Sequence, residues 1–213
     1  MNEKKKKLSK SGPGRPKDLE KRADILKAAG DLFMNKGFAG TTMDDIADVA
    51  GVSKLTVYNH FGTKESLFHD VIKAKCEVHA GDNFFASLPA QNPTAELFMI
   101  GRAFMDLIFS DDAIAMHRVI IADGHAHPAL AMMFYKAAPE QLFERFAKYL
   151  EKLEQKHDLS FPDKLKAGKF FFGMFKGEPH MRAILGIPPR PTKKELDAFA
   201  KDCVAFYLRA CRT

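Results

Sequence analysis

The chain has 213 residues, of which 46% are hydrophobic and 28% are charged, a composition typical of soluble globular proteins. No apolar run approaches the roughly 18 residues of a membrane-spanning helix, and the basic N-terminus lacks the apolar segment of a secretory signal. Cys76, Cys203 and Cys211 are scattered and odd in number, which argues against a disulfide framework. We therefore expect a cytoplasmic protein with reduced thiols and no membrane association.

The positive charge is concentrated at the N-terminus. Residues 1–17 hold seven basic side chains and one acidic side chain, a balance of +6 that equals the net charge of the whole chain. Lys, Ser, Gly and Pro dominate this segment, which predicts a disordered basic arm. Such an arm strengthens DNA binding through counterion release, and Arg15 is a candidate to enter the minor groove. Diffuse phosphate contacts or simple solubilisation are the alternative.

An amphipathic helix is predicted over residues 18–36. Ile25, Ala29 and Phe33 fall on one stripe of helical spacing, as does Leu32. Asp18 is the expected N-cap, and Gly37 is the expected stop.

Two short helices, Met43–Ala50 and Lys54–Phe61, follow with a glycine turn between them. Thr42 is placed to cap the first helix together with Asp45, and Gly51 supplies a left-handed stop. Ser53 is the expected cap of the second. This pattern is typical of a helix-turn-helix, whose second helix lies in the major groove of DNA. Two packed helices of an ordinary α-domain are the alternative, and the flanking helices favour the first interpretation.

The second helix carries side chains suited to DNA. Lys54, Thr56 and Asn59 offer the donors and acceptors that read base edges, and Leu55 can touch a thymine methyl. Thr42, Tyr58 and Lys64 are better suited to contact phosphates of the DNA backbone. The complete predicted DNA-binding set is Arg15, Thr42, Ser53, Lys54, Leu55, Thr56, Tyr58, Asn59, His60 and Lys64.

Residues 18–72 resemble the N-terminal domain of TetR-type transcriptional regulators. The resemblance rests on Ile25-Leu26, Ala29, Leu32-Phe33, Gly37-Phe38, Thr41-Thr42, Ile46-Ala47, Ala50-Gly51-Val52-Ser53, Tyr58, His60-Phe61 and Lys64-Glu65-Ser66-Leu67. Further along, His127-Pro128, Phe134-Tyr135 and Pro139-Glu140 are similar to the AefR-type subgroup. Leu55, Val57 and Asn59 depart from the residues usual in the family, which makes the target DNA sequence distinctive.

The rest of the chain predicts further helices. We expect them over residues 64–88 with a break at Gly81, 94–109, 113–122, 128–155 with a kink at Pro139, 163–175, and after the capping sequence Thr192–Glu195. No strand-like alternation is present, so the fold class is all-α. The predicted domains are a disordered arm (1–17), a helix-turn-helix domain (18–63) joined by a long helix, and a helical effector-binding and dimerisation domain (64–213).

The resemblance implies a homodimer and a small-molecule effector. The last two helices, about 163–176 and 193–210, are the expected dimer surface, with burial inside one chain as the alternative. A cavity for an apolar or amphipathic ligand is implied in the second domain. Its candidate lining residues are Phe98, Arg102, Met105, His117, Phe134, Phe171 and Met174.

The predicted function is a sequence-specific DNA-binding regulator, a repressor that a ligand releases from a palindromic operator. A helical enzyme, a metal-responsive sensor and a non-specific nucleoid-type binder are the alternatives. His117, His125 and His127 with Asp123 are the residues that suggest a metal sensor, and capping or packing roles suit them better. We expect no cofactor, no metal site and no catalytic residues.

Overall fold

The computed structural model describes the backbone of residues 15–77 and 84–212 and the side chains of residues 18–75 and 84–212. Every regular element in these two ranges is helical. The helices are α1 (Arg15–Lys36), α2 (Met43–Ala50), α3 (Lys54–Phe61), α4 (Lys64–Glu77), α5 (Phe84–Ser87), α6 (Pro93–Ile108), α7 (Asp111–Asp123), α8 (Pro128–Tyr135), α9 (Gln141–Lys156), α10 (Lys164–Leu185) and α11 (Lys193–Cys211). The all-α prediction is confirmed. None of the described helices is both long and apolar enough to cross a membrane.

The first four helices pack around one apolar cluster, the N-terminal core. Helix α1 contacts α2 and α4, and α2 contacts α3. The core consists of Ile25, Ala29, Phe33, Phe38, Met43, Ile46, Ala47, Val57, Phe61, Leu67, Phe68, Val71, Ile72, Met116, Val119 and Leu130. The last three residues belong to α7 and α8, so this core also includes side chains from the C-terminal part of the chain.

The second cluster, the C-terminal core, joins α5, α6, α9, α10 and α11. Its centre is aromatic: the Phe171 ring lies 4.7 Å from that of Phe146 and 4.8 Å from that of Phe175. Burying one such side chain stabilises the fold by about 1.5–3 kcal/mol. Helix α6 approaches α10 closely at Gly101, where a Cβ atom would lie 2.3 Å from the Phe175 ring. Any larger residue there would force the Phe175 ring and its neighbours to shift.

Two helices depart from regular geometry. Residues Lys136–Glu140 form a π-helical turn that contains Pro139, so the predicted kink falls there. Helix α10 runs well past the predicted end at residue 175, but its backbone breaks at Gly177, where φ is 40° and ψ is −161°. The predicted break at Gly81 lies outside the described residues.

Two local predictions were wrong. Helix α1 begins at Arg15 rather than at Asp18, so Asp18 is not its N-cap and is free to pair with a side chain of α3. Val49, expected on the buried face of α2 with Ile46, is 60% exposed because Met43, Ile46 and Ala47 are the residues of α2 that meet α1. The buried stripe of this short helix therefore contains Met43 and Ala47, with Ile46, in place of Val49 and Ala50.

Candidate nucleic-acid interface

The α2–α3 unit is held by local capping, as the sequence predicts. The Thr42 hydroxyl accepts from the Asp45 amide at 3.1 Å, and the Asp45 carboxylate accepts from the Thr42 amide at 3.0 Å. Hydrogen bonds from the Thr42 hydroxyl and amide, then the Lys36 ammonium, lower the pKa of Asp45. Gly51 ends α2 with φ at 66°, a value that favours glycine. The angle between the two helices is thus set by short-range contacts.

Helix α3 buries one face and exposes the other. Val57 and Phe61 are fully buried in the N-terminal core, which fixes the rotation of the helix about its axis. Leu55 (69% exposed), Tyr58 (43% exposed) and Asn59 lie on the outer face with Lys54. The predicted base-reading face is therefore directed away from the body of the protein.

Lys54 forms an ion pair on this outer face. Its Nζ lies 2.8 Å from the Asp44 carboxylate of α2, and this hydrogen bond raises the pKa of Lys54. Both side chains are more than half exposed, so the pair is weak in water. A nucleic-acid phosphate or a guanine base can compete with Asp44 for the ammonium group.

Ser53 has a capping role in the structure. Its hydroxyl accepts from the Thr56 amide at 3.1 Å and lies 2.8 Å from the Thr56 hydroxyl. The two hydroxyls are therefore partners of each other at the start of α3. Thr56 is half-buried.

His60 and Lys64 are bound to the protein itself. His60 Nε2 lies 3.3 Å from the Asp18 carboxylate, and its side chain is 14% exposed. Lys64 Nζ donates to the carbonyls of Phe38 and Thr41, each at 2.9 Å, and lies 4.4 Å from the centre of the Phe38 ring. These contacts hold α1, α3, α4 and the turn after α1 together. Arg15 and the arm lack described side chains.

The seven predicted ligand-lining residues do not share one site. Met105 and Phe171 lie inside the C-terminal core, and Phe98 and Met174 pack against it. Arg102 is engaged by Asp106 and, at 2.9 Å, by Asp197 of α11. His117 and Phe134 lie in a different place, with their rings 5.6 Å apart beside α10.

A buried histidine pair occupies the contact between α7 and α10. The rings of His117 and His180 are 5.2 Å apart, and His180 is 4% exposed. Burial, then the charges of His117 and Lys176, lowers the pKa of His180 to about 4. Burial also lowers the pKa of His117 and that of Lys176. Both imidazoles are therefore neutral near neutral pH.

The same helix α7 reaches the turn between α1 and α2 at its other end. The Asp123 carboxylate accepts from the Phe38 amide at 2.8 Å and from the Ala39 amide at 3.3 Å. Gly37, with φ at 76°, places these amides towards α7, and a Cβ there would lie 3.2 Å from the carboxylate. The His127 ring lies 5.7 Å from that of Phe38. This contact, which we call the α7 latch (Asp123 with Phe38 and Ala39), joins the two halves of the chain.

The residues considered for a metal sensor therefore have separate structural roles. Asp123 belongs to the latch, His127 packs against Phe38, and His117 lies beside His180. No group of three His, Cys, Asp or Glu side chains suited to a metal is found within residues 18–75 and 84–212. Among the cysteines, burial and then the Asp202 charge raise the pKa of Cys203 to about 11, which makes its thiol unreactive.

Sequence patterns did not identify Lys176, His180 or the latch role of Asp123. Lys176 and His180 follow the predicted end of their helix, in a Lys-Gly-Glu-Pro-His run whose glycine and proline suggest a loop. The available signal for a polar site was a pair of basic or titratable residues one turn apart, directly after a phenylalanine-rich helix.

Two family models match the chain. The model described as bacterial regulatory proteins, tetR family, matches residues 25–71. The model described as AefR-like transcriptional repressor, C-terminal domain, matches residues 95–213, which is more than half of the chain.

Solved structures agree over nearly the whole chain. A TetR-family transcriptional regulator from Mesorhizobium loti is 27% identical with a TM-score of 0.81, covering 93% of this chain and 100% of that one. The flavonoid-responsive regulator FrrA is 31% identical with a TM-score of 0.74, covering 91% of this chain and 98% of that one.

Sequence relatives match over a shorter stretch. The transcriptional activator FasR of Mycolicibacterium smegmatis is 43% identical over 58 residues, which are 27% of this chain and 26% of FasR. The matches to curated relatives thus span about a quarter of those proteins.

Proposed function

Because the chain belongs to the TetR family of transcriptional regulators, we propose that it is a cytoplasmic homodimeric repressor that a small ligand releases from a palindromic operator. The observation that carries this proposal is the outer face of α3, where Lys54, Leu55, Tyr58 and Asn59 are exposed while Val57 and Phe61 anchor the helix from behind. A rigid helix with exposed base-reading groups is what major-groove recognition requires.

Each residue of the face has a separate role in the proposed complex. Asn59 reads an adenine through its amide, and Leu55 contacts a thymine methyl. Lys54 leaves Asp44 to meet a guanine or a phosphate, and Tyr58 donates to a phosphate. His60, Lys64 and Ser53 act indirectly, because their polar atoms already position α3 and its neighbours.

Long-range attraction to DNA comes from the arm. Residues 1–17 carry the entire net charge, so the folded body contributes selectivity rather than bulk attraction. Loss of the arm should reduce affinity for all DNA sequences alike, whereas changes on α3 should alter which sequence is preferred.

Dimerisation through α10 and α11 is supported by exposed apolar side chains. In the predicted KFFFGMF segment, Phe171, Phe172 and Phe175 are buried in one chain, so only part of this surface is available to a partner. The exposed apolar residues of the two helices are Leu165, Phe170, Met181, Leu185 and Phe206. A symmetric dimer would bury them and place two α3 helices for two half-sites.

Ligand response requires a path from the effector to α3, and the α7 latch provides one. A ligand that favours another position of α7 would move Asp123 and with it the amides of Phe38 and Ala39. The turn that these amides belong to leads directly into α2. FrrA, a whole-length structural neighbour described as flavonoid-responsive, supports a small-molecule effector.

The test is selection of binding sites from random DNA by the purified protein, followed by affinity measurements on the selected sequence. We expect a palindrome, with Asn59→Ala relaxing one position in each half-site by about tenfold, which corresponds to the ~1–3 kcal/mol of one base contact. Tyr58→Phe should weaken all sequences about equally. The truncation must stop at residue 14, because α1 begins at Arg15.

Two outcomes would contradict the proposal. One is a selected pool without a common sequence. The other is binding that disappears on deletion of residues 1–14 but is unchanged in Asn59→Ala and Tyr58→Phe, which would indicate a non-specific binder held by the arm. Asp31→Ala, an exposed change on the first helix, serves as the matched control.

A further inference from the structure

His180 has a hydrogen-bonding atom that the fold leaves unused. One ring nitrogen contacts the Ile108 carbonyl, while Nε2 is buried and has no hydrogen-bond partner among the described residues. Since the nitrogen facing a carbonyl must carry the proton, Nε2 of the neutral ring is an acceptor. A buried acceptor without a partner destabilises the fold, and a ligand that donates a hydrogen bond to Nε2 would remove that cost.

Two more polar groups converge on the same place. His117 donates from Nδ1 to the Ala113 carbonyl at 2.7 Å, which leaves its Nε2 as a second acceptor. Lys176 is half-buried, its charge influences both histidines, and no carboxylate partner for it is seen in the described part of the chain. The seam between α7 and α10 therefore holds two neutral acceptors and one cation that needs an anionic partner.

These groups define the ligand that they can bind. A carboxylate satisfies Lys176 but offers no proton to a neutral imidazole, and an aliphatic alcohol donates a proton but acquires little negative charge. A phenol does both, because its hydroxyl donates to Nε2 while its oxygen accepts from the ammonium group. We propose that the effector is an aromatic compound with an acidic hydroxyl, bound by His180, Lys176 and His117; this rests on the proposed ligand-responsive function.

The surroundings fit an aromatic ring. The Phe109 ring lies 5.7 Å from that of His180, nearly perpendicular to it, and Phe134 stands in the same way against His117. Aromatic pairs favour such edge-to-face geometry. A cleft of about 210 Å³ opens on the same seam, lined by Arg118 and Ala183 among others. Neither His117 nor His180 lines this cleft, so a ligand that binds the pair must also part α7 from α10.

The site also connects to the latch. His117 and Asp123 are on the same helix, α7, so a ligand that enters between α7 and α10 displaces the helix that holds Phe38 and Ala39. The break at Gly177, between Lys176 and His180, is the point at which the second half of α10 can move away.

The experiment uses the full chain and three matched probes: para-phenylphenol, its methyl ether para-phenylanisole, and para-phenylbenzoate. A second series of beta-naphthol, its methyl ether and beta-naphthoate covers a smaller ring system. Calorimetry measures the Kd of each probe, and anisotropy measures its effect on operator binding. We expect each phenol to bind at least about tenfold more tightly than its ether, because a site with a buried acceptor rejects an analogue that lacks the donor.

His180→Leu and Lys176→Met should each weaken phenol binding at least about tenfold and leave ether binding unchanged. His125→Leu and Lys169→Met, exposed changes on the neighbouring loop and on α10, are the matched controls and should change nothing. Thermal unfolding checks the fold of His180→Leu, which removes the unpartnered acceptor together with the hydrogen bond to the Ile108 carbonyl, so we expect a Tm close to that of the native chain.

Equal affinity for phenol and ether, tighter binding of the carboxylate than of the phenol, or no binding by either phenol would each overturn the inference. Operator binding separates this failure from that of the proposed function. Sequence-selective DNA binding that a carboxylate or another ligand releases would retain the repressor and reject the phenol. DNA binding without sequence selectivity would contradict the proposed repressor function. The calorimetric comparison of each phenol with its ether would then test the proposed ligand class by itself.

Discussion

Asp123→Ala tests the latch between α7 and the DNA-binding unit. The change removes two hydrogen bonds from backbone amides to one carboxylate. The bond from Phe38 is short and partly buried, which corresponds to about 1.5 kcal/mol for a charged acceptor, and the longer, exposed bond from Ala39 adds about 0.5 kcal/mol. We therefore expect the free energy of unfolding to fall by about 2 kcal/mol.

Thermal unfolding measures this loss directly. For a chain of this size, each 1 kcal/mol shifts Tm by roughly 2–4 °C, so Asp123→Ala should lower Tm by about 4–8 °C. Asp123→Asn keeps one carbonyl acceptor without the charge and should lose about half as much. The control is Asp112→Ala, a change on the same helix as Asp123. It removes an exposed ion pair with Lys75 of α4 and should lower the free energy of unfolding by less than about 1 kcal/mol.

The same variant tests coupling. If the latch transmits the response, Asp123→Ala should still bind effector in calorimetry, while the effector changes its operator affinity less than it does for the native chain. An unchanged Tm, or a Tm loss no larger than that of Asp112→Ala, would refute the energetic argument. A native ratio of operator affinities with and without effector would refute the role in coupling.

Three further predictions follow from described contacts. Lys64→Met should lower Tm by about 2–8 °C, because two charge-assisted hydrogen bonds and a cation–π contact worth about 1–2 kcal/mol in total are lost. The exposed change Lys27→Met should leave Tm unchanged, as would Lys64→Met if Lys64 only bound phosphate. The free energy of unfolding should fall as pH drops from 6.5 towards 4, because His180 binds a proton in the unfolded chain but not in the folded chain, where its pKa is about 4. The full loss is roughly 3 kcal/mol. Chemical denaturation across this range should show a smaller pH dependence for His180→Leu than for the native chain, and an equal dependence would contradict the prediction. Phe206→Glu should give monomers in analytical ultracentrifugation while Ile121→Glu, equally exposed on α7, stays dimeric; dimers in both variants would move the interface elsewhere.

Local patterns predicted the DNA-binding unit well because short-range chemistry determines it. The Thr42 and Asp45 capping box, the left-handed Gly51 and the Ser53 cap all involve residues within a few positions of one another. Periodicity likewise identified Ile25, Ala29 and Phe33 as core. The burial of Val49 was wrong because eight residues give too few turns to fix which stripe faces α1.

Local sequence patterns could not predict contacts between residues that are far apart along the chain. Lys64 looks like a phosphate ligand until the carbonyls of Phe38 and Thr41 are seen around it. Asp123 is 85 positions from Phe38, and no periodicity links them. The aromatic residues of the second half also look alike in sequence, so Phe171 in the core and Phe134 beside His117 were grouped as one pocket.

The composition of the N-terminal core has a consequence for engineering. Hybrid regulators are built by joining the DNA-reading part of one protein to the sensing part of another, and residue 63 looks like a natural junction. Met116, Val119 and Leu130 complete the core on the far side of that junction. A transplant of residues 1–63 alone would therefore leave apolar surface exposed on both halves. A hybrid of this protein should instead carry α4 and exchange the matching surface of α7 and α8 with it.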